Sequence, residues 1–415
     1  MKWAFLLGSP DISGGSYVIF EHAIRATKKG VLVTIITEEK INMERLHWHP
    51  EARSLIWKTY KEVENDKFDV CIATWWRTVY ELYRVTAETY AYFVQSIESR
   101  FYDENERSLR HLVDSTYQLP LHIITEAKWI QKHLNEHFNK DAKLVPNGIR
   151  KDIYSIEGVR HQAREEGKLR VLVEGPIDVP FKNVPKTIEI CKQSDADEVW
   201  LLTSSPISSY PGVDKVFSQV PIFETAQIYR SCDVIIKLSY VEGMFGPPLE
   251  MFHCGGTSIT YNVTGHDEYI VSDQNALVAA KDDDKAVLNF INSLKHSPTL
   301  LRDLKDKAID TANNWPAWDE SSEQFYKAVK SICEDNSLFV HNSKDIIEKK
   351  SKFYFQWYVI AEESKSGNSG KPNISDLQFF KSFVRRKFPV LFRLLRNIKY
   401  KMKVRAINKD NYTDK

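Results

Sequence analysis

The stretch EGMFGPPLE, residues 242–250, sets two carboxylates eight positions apart with two glycines and two prolines between them. Glutamate favours helix, whereas glycine and proline interrupt it. The residue types predict a loop carrying Glu242, a helix opening at Pro247 and Pro248, and Glu250 in its first turn, where the dipole favours a carboxylate. The apolar run DVIIKLS (233–239) just before it reads as a strand, so Glu242 falls at a strand's carboxyl end. Two acids placed this way can face one cleft, which the glycines leave open. Free amides at the helix start also suit phosphate oxygens. Spacing alone is equally compatible with a plain helix-start acid and a solvated loop acid.

The rest of the chain predicts what holds them. KWAFLLG reads as a buried strand, SGGSYVIFEHAIRATKKG as a glycine turn and a helix stopped by Lys-Lys-Gly, and VLVTIIT as a second strand. Strand, helix, strand implies a parallel sheet covered on both faces. FDVCIAT, AYFVQSI and LHIIT continue it as strands, and AKLVPNGI ends the half on turn chemistry. After a charged linker over 150–168 the pattern restarts: KLRVLVEG, EVWLLTS, DKVFSQV, DVIIKLS, TSITYNV and NALVAA read as strands with helices between. The expected architecture is α/β, with two doubly wound halves: 1–150, then 169–315 after the linker. A terminal helix (316–335) and an extension (336–415) follow. In such sheets ligands bind beyond the strands' carboxyl ends, and two of them facing each other make a cleft.

Composition narrows the class. The chain has 415 residues and a formal net charge of +1, so no global field argues for nucleic acid. The five cysteines are odd in number, scattered and without CxxC spacing, as in a cytosolic protein with reduced thiols. The apolar start MKWAFLL is shorter than the h-region of about 7–15 residues that a signal peptide carries before its cleavage site, and it reads as a strand. No run approaches the roughly 18 apolar residues of a spanning helix.

The context of EGMFGPPLE is more specific than its spacing. The segment SCDVIIKLSYVEGMFGPPLEMFHCGGTSITYNVTGHDEYIVSDQNALVAAKDD resembles the signature of retaining nucleotide-sugar glycosyltransferases of the family 4 type, which includes sucrose synthases and bacterial cell-surface transferases. The glutamate pair, its D-V-I strand, the following Cys-Gly, the G-x-x-E turn and the N-x-L-V strand all occur in order. VPNGI is similar to the family's interdomain turn and SGGSYVIFEHA to its first glycine loop. ATWWRTVYEL and YFVQSIESRFY look similar to a subset that includes rhamnan-type transferases. The resemblance covers about residues 1–330. It implies a GT-B fold, with the donor in the C-terminal half and the acceptor in the N-terminal half.

By resemblance, Glu242 contacts the donor sugar near the reacting carbon, and Glu250 holds the ribose hydroxyls. Lys182, in EGPIDVPFKN, lies on the donor diphosphate, and Gly14 and Gly15 form the loop whose backbone approaches it. Gly246 belongs to the same donor loop. Glu242 and Lys182 are the expected catalytic residues, without an enzymic nucleophile. Pro176 stands where the family often has arginine, so part of the diphosphate clamp must come from elsewhere, and Gly-Met-Phe-Gly departs from the commoner loop sequence. Lys182 on its own is also an ordinary solvated loop lysine, and Gly14-Gly15 an ordinary turn.

Trp75, Trp76 and Arg77 end a predicted strand facing the cleft. Trp75 and Trp76 are either an acceptor platform or core residues, and Gln95 and Glu98 carry the same ambiguity. Glu268 in GHDE is a donor-side residue or a helix cap. Asp282–Asp284 read as helix-start acids. GT-B transferases need no metal or cofactor for sugar transfer, and the histidines show no ligand spacing. Lys381–Arg405 is basic and apolar without an acid. With Phe379, Phe380 and the residues from 372 onward it reads as an interfacial helix on anionic lipid, or equally as a helix docked on protein.

The sequence thus predicts a retaining glycosyltransferase in cell-surface polysaccharide synthesis. It would take a nucleoside diphosphate sugar and a glycan or lipid-linked glycan, and would be cytoplasmic or peripheral at the membrane. The alternatives are an epimerase or phosphorolytic enzyme on the same scaffold, or a catalytically silent glycan-binding protein.

Overall fold

The computed structural model describes residues 1–335 and 343–366. Among these, seven parallel strands form the first sheet: β1 (Lys2–Leu6), β2 (Leu32–Thr37), β3 (Ile56–Thr59), β4 (Lys67–Ala73), β5 (Thr86–Val94), β6 (His122–Thr125) and β7 (Ala142–Leu144), in the order β3-β2-β1-β4-β5-β6-β7. Its helices are α1 (Gly14–Lys28), α2 (Trp76–Val79), α3 (Arg107–Ser115) and α4 (Lys128–Phe138). Trp3, Phe5, Ile35, Ile72 and Phe93 are fully buried, because helices cover this parallel sheet on both faces. Ser13 caps α1 by accepting from the Ser16 N–H at 3.1 Å, which leaves the glycines at 14 and 15 as its first residues.

The second sheet repeats the plan. It contains β8 (Arg170–Glu174), β9 (Glu198–Thr203), β10 (Lys215–Ser218), β11 (Val234–Lys237), β12 (Thr257–Tyr261) and β13 (Leu277–Ala279), ordered β10-β9-β8-β11-β12-β13 and all parallel. Its helices are α5 (Val184–Gln193), α6 (Ile222–Ser231), α7 (Gly246–His253), α8 (Asp284–His296) and α9 (Pro298–Asn314). In each sheet the strand order reverses once, between β1 and β4 and between β8 and β11. Crevices that bind ligands open at such points.

Helix α10 (Trp318–Glu334) returns to the first half, where Trp318, Phe325, Val329 and Ile332 join the core of Trp3, Phe5 and Phe20. Its entry runs beside the interdomain turn: the Ile149 N–H donates to the Pro316 carbonyl at 3.1 Å, and the Trp318 N–H to the Ile149 carbonyl at 3.2 Å. A Cβ on Gly148 would strike the Trp318 backbone, which explains the glycine of Pro146-Asn147-Gly148.

The structure adds strands β3 and β7 to the sequence reading. Both are short and lie at the two opposite edges of the first sheet, where one-sided pairing needs little apolar pattern. Residues 150–168 carry no helix or strand, although Arg150 and Tyr154 are buried. The extension expected over 336–415 contains a further helix, α11 (Lys344–Ser366). Met1–Ser351 form one compact unit, and a second begins at Lys352. The basic stretch 372–405 lies outside the described residues. Among those described, no helix is long and apolar enough to cross a membrane.

Candidate active site

The last residues of β8 and β11, which flank the reversal in the second sheet, are Glu174 and Lys237. They form an ion pair at the strands' carboxyl ends. Lys237 is 2% exposed, and its Nζ lies 3.8 Å from Glu242 Oε1. Lys182 closes the group: its Nζ donates to both carboxylate oxygens of Glu242, at 2.9 and 2.8 Å. Lys182 ends a 3₁₀ turn (Pro180–Lys182) pinned by the Tyr240 N–H, which donates to the Phe181 carbonyl at 2.8 Å, and by Asn183 Nδ2, which donates to the Leu238 carbonyl at 3.1 Å. Gly175, with φ of 138°, starts the chain away from β8; a Cβ there would meet Val184 at 3.0 Å and the Lys237 ammonium at 3.9 Å. Only glycine takes that conformation easily.

Burial opposes the charge on Glu242, but Lys182 and then Lys237 outweigh it and hold the carboxyl below its ordinary value. Burial likewise opposes the Lys237 charge, and Glu174 and Glu242 reverse the effect and raise its pKa. Glu250 differs. Burial, then the charge of Glu174, pushes its carboxyl up to about 8 against opposing hydrogen bonds from Tyr229 and Tyr154.

Two expectations for this region are corrected. Helix α7 begins at Gly246, so Glu250 is its fifth residue and lies past the first turn, which contains no acid. Dipole stabilisation fades there, and burial decides the carboxyl instead. The free amides expected at the helix start are also scarce. Pro247 and Pro248 have no N–H, and the Gly246 N–H donates to the Met244 carbonyl at 2.9 Å. The cations gathered near this helix start are Lys182 and Lys237. Gly14 and Gly246, the first residues of α1 and α7, both face space where a Cβ would meet nothing within 4 Å.

On the N-terminal side, the Gln95 amide lies against Gly15, and the Gln95 carbonyl faces Gly243 so closely that a Cβ there would strike it. Trp75 is half-buried, packs on Gly8 and has the Arg77 guanidinium 4.9 Å from its ring centre. Trp76 and Glu98 turn inward. Trp76 is 5% exposed and its Nε1 donates to Tyr102 Oη at 3.0 Å. Glu98 accepts from the Trp76 N–H at 2.7 Å and from Tyr92 Oη at 2.9 Å. Burial pushes the Glu98 carboxyl up to about 8. These two belong to the core of the half, which separates them from Trp75 and Gln95.

The halves also meet directly. Glu126 Oε1 accepts from the Met244 N–H at 3.0 Å, and Trp129 Nε1 donates to the Gly243 carbonyl at 2.9 Å. Phe101 stacks on Phe181, next to Lys182, with ring centres 4.8 Å apart. Glu268 does act as a cap, but of a helix in the other half: it accepts from the N–H groups of Lys128 and Trp129 at the start of α4, at 2.6 and 3.3 Å.

The sequence reading omitted Glu174, Lys237 and Glu126. A signal for each exists: a single charge ending an apolar strand run, as in RVLVE, VIIK and HIITE. Among the described residues, no three His, Cys, Asp or Glu side chains converge as a metal site.

Residues 215–311, which include Lys237, Glu242 and Glu250, match the family model Glycosyl transferases group 1. Comparison with curated proteins returns no significant match. Solved structures show the fold more widely. HepE of Anabaena, in a complex with UDP and glucose, superposes with a TM-score of 0.63 at 12% identity, over 80% of this chain and 100% of that one. Sucrose-phosphate synthase of Thermosynechococcus elongatus gives 0.63 at 14%, over 80% and 98%. WaaG, a glycosyltransferase involved in lipopolysaccharide biosynthesis, gives 0.59 at 13%, over 79% and 98%. The chain therefore has the GT-B fold of these structures, with two Rossmann-like halves, and the match to the group 1 glycosyltransferase model lies in the second.

Proposed function

We propose that this protein transfers a sugar from a nucleoside diphosphate sugar to a hydroxyl of a glycan or lipid-linked glycan, with retention at the anomeric carbon, in the building of a cell-surface polysaccharide. The observation that carries the proposal is the junction of Lys182, Glu242, Lys237 and Glu174 at the strand reversal, inside and beside the matched domain. That HepE has been seen with UDP-glucose favours the same class of donor.

In this reading Lys182 faces the diphosphate and neutralises the charge that grows as the bond from the anomeric carbon to phosphate breaks. The Gly14-Gly15 backbone approaches the same group from the other half. Gly246 keeps the donor loop open, and Glu250 faces the ribose. Glu242, held by Lys182, orients the sugar. The acceptor oxygen bonds to the anomeric carbon on the face the phosphate leaves, and its proton passes to the departing phosphate oxygen. No protein nucleophile, metal or cofactor takes part. Trp75 and Gln95 lie where an acceptor approaches, and closure of the halves excludes water.

The test is a panel of UDP-, dTDP- and GDP-sugars, read first by melting temperature. A donor at 100 times its Kd stabilises the fold by about 2.7 kcal/mol. Nucleoside diphosphate is then expected to appear only when acceptor is added, and Lys182→Ala to cut that rate about 100-fold or more. No shift with any of the nucleotides defeats the proposal. Release of nucleotide without acceptor, or Lys182→Ala at full rate, favours another reaction or a silent scaffold. We further propose that residues 372–405 bring the enzyme to anionic lipid. Deleting 372–415 should abolish vesicle binding without changing donor affinity, and equal vesicle binding after deletion refutes this part.

A further inference from the structure

The loop carrying Glu242 belongs to the C-terminal half, yet its backbone is tied down from the N-terminal half. The two tied groups are the Gly243 carbonyl, which accepts from Trp129 Nε1, and the Met244 N–H, which donates to Glu126 Oε1. Room for side chains is absent: a Cβ on Gly243 would strike the Gln95 carbonyl, and one on Gly265 the Gly243 carbonyl. A loop with glycine at both ends of its turn has much conformational freedom to lose. Its own half holds the flanking carbonyls, that of Glu242 from Thr264 Oγ1 at 3.3 Å and that of Phe245 from Tyr269 Oη, and leaves the Gly243 carbonyl and the Met244 N–H to the other half.

Glu126 is suited to that task. It directly follows β6, is 5% exposed, and uses both oxygens. Oε2 accepts from Asn147 Nδ2 at 2.9 Å, in the turn where the chain leaves the first half. The Asn147 carbonyl in turn accepts from Trp315 Nε1 at 2.8 Å, where the chain returns. One buried carboxylate thus connects both interdomain crossings to the loop beside Glu242. The second tie is fixed across the seam as well. Ala127, at the N-cap of α4, offers no side-chain cap, and Glu268 of the other half caps the helix that presents Trp129.

We infer that Glu126 is a positioning residue for Glu242: through the Met244 N–H it sets the path of the donor loop only when the two halves are closed. Separation of the halves removes both ties at residues 243 and 244, so closure and the placing of Glu242 against Lys182 become one event. The catalytic consequence rests on the reading of Glu242 as donor-facing; the tie itself does not.

The test uses the full chain and two readouts. Hydrogen exchange at the Met244 amide reports the tie. The donor whose melting shift is largest in the panel above supplies kcat and KM. Glu126→Ala is expected to speed exchange about 10–100-fold and to lower kcat by a similar factor, with donor KM within about threefold, the loss of a buried hydrogen bond. Glu126→Gln should restore both. Its amide oxygen can take the Met244 N–H, and its NH₂ can meet Asn147 Oδ1, which has no partner at present, once the Asn147 amide turns over. Should Glu126→Ala not fold, Trp129→Phe, which removes only the donor to Gly243, is expected to speed exchange at Met244 too. Parent-like exchange in Glu126→Ala, or in Trp129→Phe if that variant alone folds, overturns the inference, as does Glu126→Gln behaving like alanine. Faster exchange with unchanged kcat confines Glu126 to structure and overturns the positioning role. Absence of binding by every nucleotide sinks the proposed function instead, and the exchange result still decides the tie.

Discussion

The two halves reverse their strand order at matching places, but the residues gathered there differ. In the C-terminal half the flanking strands end in Glu174 and Lys237, with Lys182 and Glu242 above them. In the N-terminal half β1 and β4 end in Leu6 and Ala73. The next side chains are neutral: Thr74 Oγ1 donates to the Leu6 carbonyl at 2.7 Å, and Trp75 packs on Gly8. One scaffold thus offers a crevice built on ion pairs and an aromatic one whose nearest charge is the Arg77 guanidinium beside Trp75. The first suits a diphosphate. The second suits a polyhydroxylated molecule, which stacks on an aromatic face without requiring a counter-charge. Chemistry is assigned by the few residues past each strand and not by the fold.

Lys237→Met is the strongest way to break this contrast. It leaves two carboxylates facing each other without their buried cation, at a cost of about 3 kcal/mol, and a melting temperature lower by several degrees. Adding Glu174→Gln should recover part of the loss. An unchanged melting temperature would mean that the charged crevice is no more dependent on its ions than the aromatic one. On the aromatic side, Trp75→Ala should raise acceptor KM about tenfold while UDP binding stays the same, whereas Trp76→Phe should leave KM alone and cost about 1 kcal/mol through the lost Tyr102 hydrogen bond. Equal effects of the two on KM would erase the distinction between platform and core.

A further prediction is a pH dependence. Glu98 has its carboxyl raised to about 8 by burial, so the fold favours the protonated form. Its contribution to stability is complete below the ordinary carboxyl value and is lost as pH rises through about 8. Glu98→Gln should therefore melt increasingly above the parent between pH 5 and pH 8. A constant difference across that range would show that Glu98 is not the group being titrated.

Much of this was legible in the residues themselves. The runs KWAFL, RVLVE and VIIK are apolar and short between turn signals, which is the pattern of a doubly covered parallel strand. EGMFGPPLE placed its loop and its helix, because proline and glycine act on their own backbone whatever surrounds them. The charges in that motif were harder to read. The loop position of Lys182 gave no hint that both of its partners' oxygens would be in reach. Lys237 looked like an interruption in a strand until β8 was laid beside β11. Glu98 and Trp76 resembled their half-buried neighbours Gln95 and Trp75, since a difference of one to three residues in a turn decides which way a side chain faces.

The order of elements, the two-part plan and the punctuation of the loop over 242–250 were determined by sequence, through local backbone preference and periodicity. Which carboxylate is ionised, which lysine holds it, and that Glu126 and Glu268 act across the seam were decided by tertiary structure alone. Burial and Coulomb interactions depend on distance in space, and residues 126 and 244, or 174 and 237, become neighbours only after the sheets have formed and the halves have met.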